Sequence, residues 1–239
     1  MPLRFALLVL EEHPYGREML RTLLESGFVP SIIVEEVSNV ADVEREKFLV
    51  RSAGQPIPPR ITQLINNLKV PVYTVTNHNN STCKEILEAN KPEVLVLGGT
   101  RIIKPQILET PTRATINAHP GMLPWLRGSA SVGWALYKDM PIGSTVHFID
   151  PGIDTGDIIY REELPVYHND TYESLNYRVG LLSARLMAEA VKALDLGEAP
   201  RMAQDGSVGE TYKVIPDDLL AEGLARLAEG RYSHFADQP

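Results

Sequence analysis

Residues 3–35 read LRFALLVLEEHPYGREMLRTLLESGFVPSIIVE. The opening run, 3–10, is almost continuously apolar, the pattern of a parallel strand covered on both faces. Residues 15–26 place Met19, Leu20, Leu23 and Leu24 on one side of a helix, and Gly27 follows as its stop. Residues 29–35 form a second strand. A helix between two short apolar strands predicts a parallel sheet, hence an α/β fold.

The same alternation continues outward. A polar, charged stretch (36–60) predicts an exposed helix over 39–52 and then a loop containing Gly54, Pro56, Pro58 and Pro59. Residues 61–69 predict a short helix, 71–75 a strand, 82–90 a helix, 93–98 a strand and 114–118 another strand. Residues 129–138 are helical in pattern. The segments 143–149 and 157–164 alternate more strictly and suit antiparallel strands at the C-terminal end of a mixed sheet. Leu175, Val179, Leu182, Leu186 and Ala190 recur at helical spacing within 171–194, and Gly197 ends that helix. A strand around Tyr212 and a helix over 217–229 complete the chain. No linker divides it, so the expectation is one domain over 1–200 with 201–239 as a short tail rather than an independent domain.

Composition narrows the possibilities. The 239 residues are 44% hydrophobic and 23% charged, ordinary for a globular protein. A single cysteine, Cys83, excludes an internal disulfide and a multi-cysteine zinc site, and no metal is expected. The net charge of −8, with no basic run, disfavours nucleic acid as a partner. No apolar run approaches the roughly 20 residues of a membrane span. The N-terminus reads as a buried strand rather than a signal peptide, so the expected compartment is the cytoplasm.

Chemistry concentrates in TINAHPGMLPWLRG (115–128) and GSTVHFIDPGIDTGDI (143–158). Asn117 and His119 are two apart on a strand end and so share a face. They lie at the carboxyl edge of the sheet, where open α/β folds bind ligands. Asp154 sits in a loop bracketed by Gly152 and Gly156 that can bring its carboxylate near His119. An Asn and a His that donate to a developing oxyanion, with an Asp that favours the imidazolium or moves a proton, suit acyl transfer to an amine. Of the other histidines, His147 reads as a hydrogen-bonded structural residue and His13 as a solvated loop residue. His78, His168 and His234 read as surface residues.

These two stretches closely resemble the family of formyltransferases that use N10-formyltetrahydrofolate, which acts on glycinamide ribonucleotide, methionyl-tRNA or sugar nucleotides. The family's Asn-x-His-x-x-x-Leu-Pro is matched by Asn117, His119, Leu123 and Pro124, and its Arg-Gly by Arg127 and Gly128. Its Gly-x-Thr-x-His is matched by Gly143, Thr145 and His147, and its Asp-x-Gly by Asp154 and Gly156. GGTRIIKPQIL (98–108) resembles its folate-lining segment. The resemblance implies a Rossmann-like formyltransferase fold with helices on both faces of a mostly parallel sheet. It also implies Asn117, His119 and Asp154 as the catalytic trio, with Arg101, Ile102, Ile103, Asp150, Gly152 and Ile153 as the wall for the pterin ring of the folate donor.

The chain departs from the family pattern in three places. Gly121 stands where the family mostly has Ser. Glu11 and Glu12 stand where the glycinamide ribonucleotide enzymes carry a phosphate loop, and two carboxylates make a poor cradle for phosphate. The tRNA enzymes append a C-terminal β-barrel that has no counterpart in the residues after 197. The expected acceptor is therefore a small amine, with an aminosugar nucleotide first and an amino acid or other metabolite amine next. Arg17, Arg127 and Lys138 are the nearest basic candidates for a diphosphate. Trp125 reads as a packing or contact residue that could instead stack on a sugar or base. Formylation of methionyl-tRNA, hydrolysis of the folate, or a silent folate-binding scaffold are the alternative readings. Leu219, Leu220, Leu224 and Leu227 leave a homodimer open.

Overall fold

Both sets of alternating side chains in Phe5–Leu10 (β1) are apolar. In the computed structural model of the protein, which describes residues 2–237, Phe5, Leu7 and Val9 enter one hydrophobic core and Ala6 and Leu8 enter another. After β1 come the helix Pro14–Glu25 (α1), the strand Ile32–Glu36 (β2), the helices Asn39–Arg51 (α2) and Ile61–Leu64 (α3), and the strand Val72–Val75 (β3). Ser81–Asn90 (α4), Val94–Leu97 (β4), Pro105–Leu108 (α5) and Ala114–His119 (β5) follow. The chain then forms Leu126–Gly128 (β6), Ser131–Lys138 (α6), Gly143–Phe148 (β7) and Ile158–Glu163 (β8). It ends with Tyr172–Leu196 (α7), Glu210–Tyr212 (β9) and Asp217–Ala228 (α8).

The main sheet has the order β3-β2-β1-β4-β5-β7-β8. Its first five strands are parallel, and β7 and β8 are antiparallel, as the sequence pattern implies. One face packs on α1, α3 and α7, and the other on α4 and α5. The strand order reverses at β1 and β4, so the loops leaving their carboxyl ends part and open a crevice. There α1 starts close against β4: a Cβ on Gly16 would lie 2.3 Å from the Gly98 carbonyl oxygen, so only glycine fits.

The tail packs on the rest of the chain. β9 pairs with β6, and Leu224 and Leu227 of α8 join a third core that includes Val132, Ala135 and Leu136 of α6. Leu224 and Leu227, two of the four leucines read as available to a second chain, are thus taken up within the chain. Two elements escaped the sequence reading. One is the single turn α5, started by Pro105, and the other is β6, whose partner is more than eighty residues away. The helix expected over 61–69 shortens to α3, because Asn66 and Asn67 supply no apolar periodicity to continue it. No helix among the described residues is long and apolar enough to cross a membrane.

Two histidines expected at the surface are buried. His13 caps α1, its Nδ1 accepting the Tyr15 N–H at 3.3 Å, and its ring packs edge-on against Phe48. His78 has no exposed surface; its Nε2–H donates to the Val34 carbonyl at 3.1 Å and its backbone N–H to Glu36. Burial pushes His13 down to about 4 and also lowers His78. In the unfolded chain both take up a proton near pH 6.5, so their contribution to stability is complete above that pH. It is lost as pH falls through the folded-state values. Each such histidine adds a slope of about 1.4 kcal/mol per pH unit to the unfolding free energy in that window. His13→Asn keeps a side-chain acceptor at the cap and should flatten the slope between about pH 6.5 and 4 by one histidine's share. Urea melts across this range check it; unchanged slopes would mean that His13 is not held neutral.

Candidate active site

The site is a patch of polar side chains on one face of β5 and β7. Ile116, Ala118, Val146 and Phe148 face the core under α7. The alternate residues of the same strands, Asn117, His119, Thr145 and His147, face the other way. The antiparallel register places Asn117 opposite His147 and His119 opposite Thr145, and opposed side chains in such pairs are neighbours. Thr145 Oγ1 donates to the Gly121 carbonyl at 2.8 Å and accepts the Leu123 N–H at 3.1 Å, fixing the turn that follows His119.

Asp154 completes the patch. Its Oδ2 accepts the Gly128 N–H at 2.8 Å and lies 3.4 Å from His119 Nδ1, and its Oδ1 lies 3.4 Å from His147 Nε2. Asn117 Nδ2 is 3.4 Å from the same His147 nitrogen. The three residues singled out in the sequence therefore meet in one cleft. Asp154 has φ +54°, a left-handed conformation that costs free energy for a residue with a Cβ. Gln204 of the tail holds this turn, its Nε2 donating to the carbonyls of Asp154 at 2.9 Å and Gly156 at 2.7 Å.

Main-chain carbonyls favour one tautomer of each histidine, because a carbonyl can only accept. His119 Nε2–H donates to the Leu126 carbonyl at 2.7 Å, and His147 Nδ1–H donates to the Phe148 carbonyl at 2.8 Å. When neutral, each imidazole thus turns its bare nitrogen to Asp154. Burial works against the Asp154 charge, but His119 and His147 when protonated, with an N–H then facing it, and the Gly128 N–H outweigh it and hold the carboxyl below the usual carboxylate range. Burial lowers His119, with Asp154 opposing. The result is a carboxylate between two proton-accepting nitrogens, beside a carboxamide with an N–H to spare. His119 differs from expectation in one respect: its Nε2–H is engaged by the backbone rather than directed at a developing oxyanion.

The residues expected to form the pterin wall divide. Arg101 turns away and makes a two-pronged pair with the fully buried Glu36. Burial alone would raise the Glu36 carboxyl; Arg101, Ser38 and the His78 N–H bring it below its ordinary value. Ile103 points into the core, whereas Ile102 is 77% exposed and Ile153 48% exposed. Asn79 braces the first segment, its Nδ2 donating to the Ile102 carbonyl at 2.9 Å and its Oδ1 accepting the Lys104 N–H at 2.7 Å. Asp150 Oδ1 closes the second loop, accepting from the Gly152 N–H at 3.0 Å and Thr155 Oγ1 at 2.6 Å. Two exposed isoleucines on braced backbone suit the faces and edge of a flat heterocycle.

The basic residues considered for a diphosphate are already engaged. Arg127 is buried, its Nη2 donating to the Val208 carbonyl at 2.9 Å, which removes it from that role. Arg17 pairs with Glu12 at 3.3 Å and donates to the Pro59 carbonyl, and Lys138 lies over the Tyr212 ring. Trp125 is partly exposed, with the Arg161 guanidinium 4.6 Å from its ring centroid.

A sheet of this topology with an Asn, a His and an Asp gathered at its carboxyl edge defines an α/β protein with a polar cleft beside β5 and β7. Residues 3–191 match the formyl transferase family model, and the chain belongs to that family. It is 32% identical over 183 residues to the methionyl-tRNA formyltransferase of Pelotomaculum thermopropionicum, covering 74% of this chain and 58% of that protein. The corresponding Desulforamulus reducens protein is 33% identical over 182 residues, covering 72% and 57%. The chain thus spans under three-fifths of the length of these relatives. Among solved structures, the formyltransferase PseJ of Anoxybacillus kamchatkensis superposes with a TM-score of 0.56 at 26% identity, covering 71% of this chain and 94% of that one. That protein was solved with UDP-4,6-dideoxy-4-formamido-L-AltNAc and tetrahydrofolate. An N-formyltransferase from Helicobacter canadensis shares the fold over 99% of this chain and 84% of that one, with a TM-score of 0.66 at 16% identity.

The sequence reading placed His147 as a hydrogen-bonded structural residue near the pocket but missed its contact with Asp154, and it missed Asn79, Gln204 and Ser131 as neighbours of the site or its supports. His147 was detectable as the polar partner of Thr145 in an otherwise apolar alternation. The others carry no local signal. Removing one partner of a buried ion pair costs about 3–5 kcal/mol. Glu36→Gln should therefore lower the unfolding free energy by about 3 kcal/mol, the low end, because Arg101 keeps part of its guanidinium in water. Equilibrium denaturation measures this, and an unchanged midpoint would show that the pair does not support the fold.

Proposed function

We propose that this protein transfers a formyl group from N10-formyltetrahydrofolate to a primary amine of a small acceptor, with an aminosugar nucleotide as the first candidate. One observation carries the reaction type: Asp154 lies 3.4 Å from the bare nitrogens of both His119 and His147, next to the Asn117 carboxamide. Amine acylation needs a proton acceptor for the attacking nitrogen and a hydrogen-bond donor for the oxygen that gains negative charge.

The folate donor supplies the formyl carbon. Ile102 and Ile153 are the side chains that would cover its pterin, and the backbone of 101–103 and 150–153 is the edge that would read it. Asn117 Nδ2–H donates to the oxygen as charge builds there. The amine's proton passes to the Asp154–His119 pair and resides on His119 Nδ1, facing the carboxylate. His119 is then cationic, and its charge stabilises the oxyanion without a direct hydrogen bond. The same proton is at hand for the departing nitrogen.

The likeness to PseJ, at 26% identity and solved with a UDP-sugar, supports the nucleotide-sugar acceptor. The 32–33% identity to methionyl-tRNA formyltransferases supports a second reading, in which the amine is that of methionyl-tRNA. Release of tetrahydrofolate from formyl-folate should require an added amine; release in water alone would indicate a hydrolase instead. With aminosugar nucleotides, dTDP or UDP should inhibit competitively. Turnover confined to methionyl-tRNA would establish the second reading.

Two variants test the assignment of roles. Loss of one oxyanion donor costs on the order of 10²–10³ in rate, so Asn117→Ala should lower kcat by that amount. Asp154→Asn keeps a side chain that tolerates the left-handed turn and should lower kcat by about 10² or more. Single-turnover assays with unchanged denaturation midpoints check both; near-normal turnover in either variant would remove that residue from its role.

A further inference from the structure

Ser131 opens α6 from a buried position, and its Oγ lies 3.3 Å from His119 Nε2. Among the described residues the hydroxyl makes no other hydrogen-bond contact. The hydroxyl does not cap the helix, because the N-cap is Ala130, held at φ +57° in the left-handed region that residues with a Cβ seldom enter. The backbone thus takes an unfavourable conformation immediately before Ser131.

Gly121 lies against the same place. A Cβ there would lie 2.6 Å from His119 Nε2 and 2.8 Å from both Cβ and Oγ of Ser131. The absence of a side chain at 121 leaves room for the serine hydroxyl beside the imidazole.

We infer that Ser131 is a positioning residue for His119, and that it keeps both protonation patterns of the imidazole available. The Leu126 carbonyl, 2.7 Å from Nε2, can only accept. It therefore favours the tautomer with the proton on Nε2 and opposes the one with the proton on Nδ1. A hydroxyl can do both: it accepts from Nε2–H when that proton is present and donates to Nε2 when it is absent. With Ser131 in place, His119 can give up either proton after taking one at Nδ1. Without it, the ring is committed to Nε2–H. This rests on the proposed role of His119 in the reaction, but the tautomer itself can be observed without turnover.

The test compares wild type, Ser131→Ala and Ser131→Thr in the full chain labelled with ¹⁵N-histidine. In the wild type, the His119 nitrogen shifts should report a mixture of neutral tautomers. In Ser131→Ala they should move to the pure Nε2–H form. Ser131→Thr, which keeps the hydroxyl, should restore the wild-type shifts. With formyl-folate and an accepted amine, Ser131→Ala should lower kcat about tenfold, the loss of roughly one hydrogen bond. It should also move the pH profile of kcat/KM, with Thr restoring both. Identical nitrogen shifts and pH profiles in wild type and Ser131→Ala would overturn the inference, even if kcat fell, because a purely packing role would lower rate without moving either. Failure of Thr to restore the shifts in a folded protein would overturn it as well. A wild type inactive on every amine, with the nitrogen shifts behaving as expected, would refute the formyl-transfer reading and leave the positioning role standing.

Discussion

The site depends on the register between β5 and its antiparallel neighbour β7. In that register Asn117 faces His147 and His119 faces Thr145, while Ile116, Ala118, Val146 and Phe148 fill the core beneath α7. Side chains alternate with a period of two, so a slip of one residue would turn the histidines into the core and the isoleucine and valine into the cleft. Burial of the four apolar residues therefore specifies the position of the polar ones. The chemistry is placed by hydrophobic packing on the opposite side of the same two strands.

What the sheet cannot do is bring a carboxylate to that face, because both strands have spent their alternate positions on Asn, His and Thr. The carboxylate comes from the 149–157 loop in a left-handed turn that opposes the preference of an L residue. The opposing contributions are local and identifiable. Asp154 gains the Gly128 N–H and two imidazoles, and Gln204 binds the carbonyls on either side of Thr155. Gly128 is itself held by β9, which pairs with β6. The tail thus supports the carboxylate twice, through Gln204 and through the strand that carries Gly128.

This arrangement separates what could be read in the sequence from what could not. The strands of 3–10 and 93–98 are legible because both of their faces are apolar, and β1 and β4 accordingly divide their side chains between two cores. Asn117 and His119 are legible as a pair because a strand end forces i and i+2 to one side. Asp154 is reachable by motif alone, since nothing in its spacing fixes where a loop will fold. His13 and His78 misled because polar neighbours in sequence resemble a solvated loop; their burial comes from Phe48 and from the Glu36–Arg101 pair, both distant in the chain. The destination of the Arg101 side chain was hidden for the same reason: its guanidinium answers a carboxylate on β2, which leaves its main chain at the cleft.

The rim of the crevice at the end of β1 is built differently from the polar patch on β5 and β7. At the carboxyl end of β1, Glu11 and Glu12 lie near Arg45 and Arg17, at 3.8 Å and 3.3 Å, and both arginines also bond to loop carbonyls. The Arg45–Glu11 contact is partly exposed and screened and contributes little to stability, whereas the Arg17–Glu12 contact is more enclosed. Within α2, which supplies Arg45, only Ala41 is buried. The rim can therefore change its charge and shape at small energetic cost, whereas Asn117, His119 and His147 cannot move without disturbing the core packing of their own strands. A fold constructed in this way can keep one transfer chemistry while its acceptor changes.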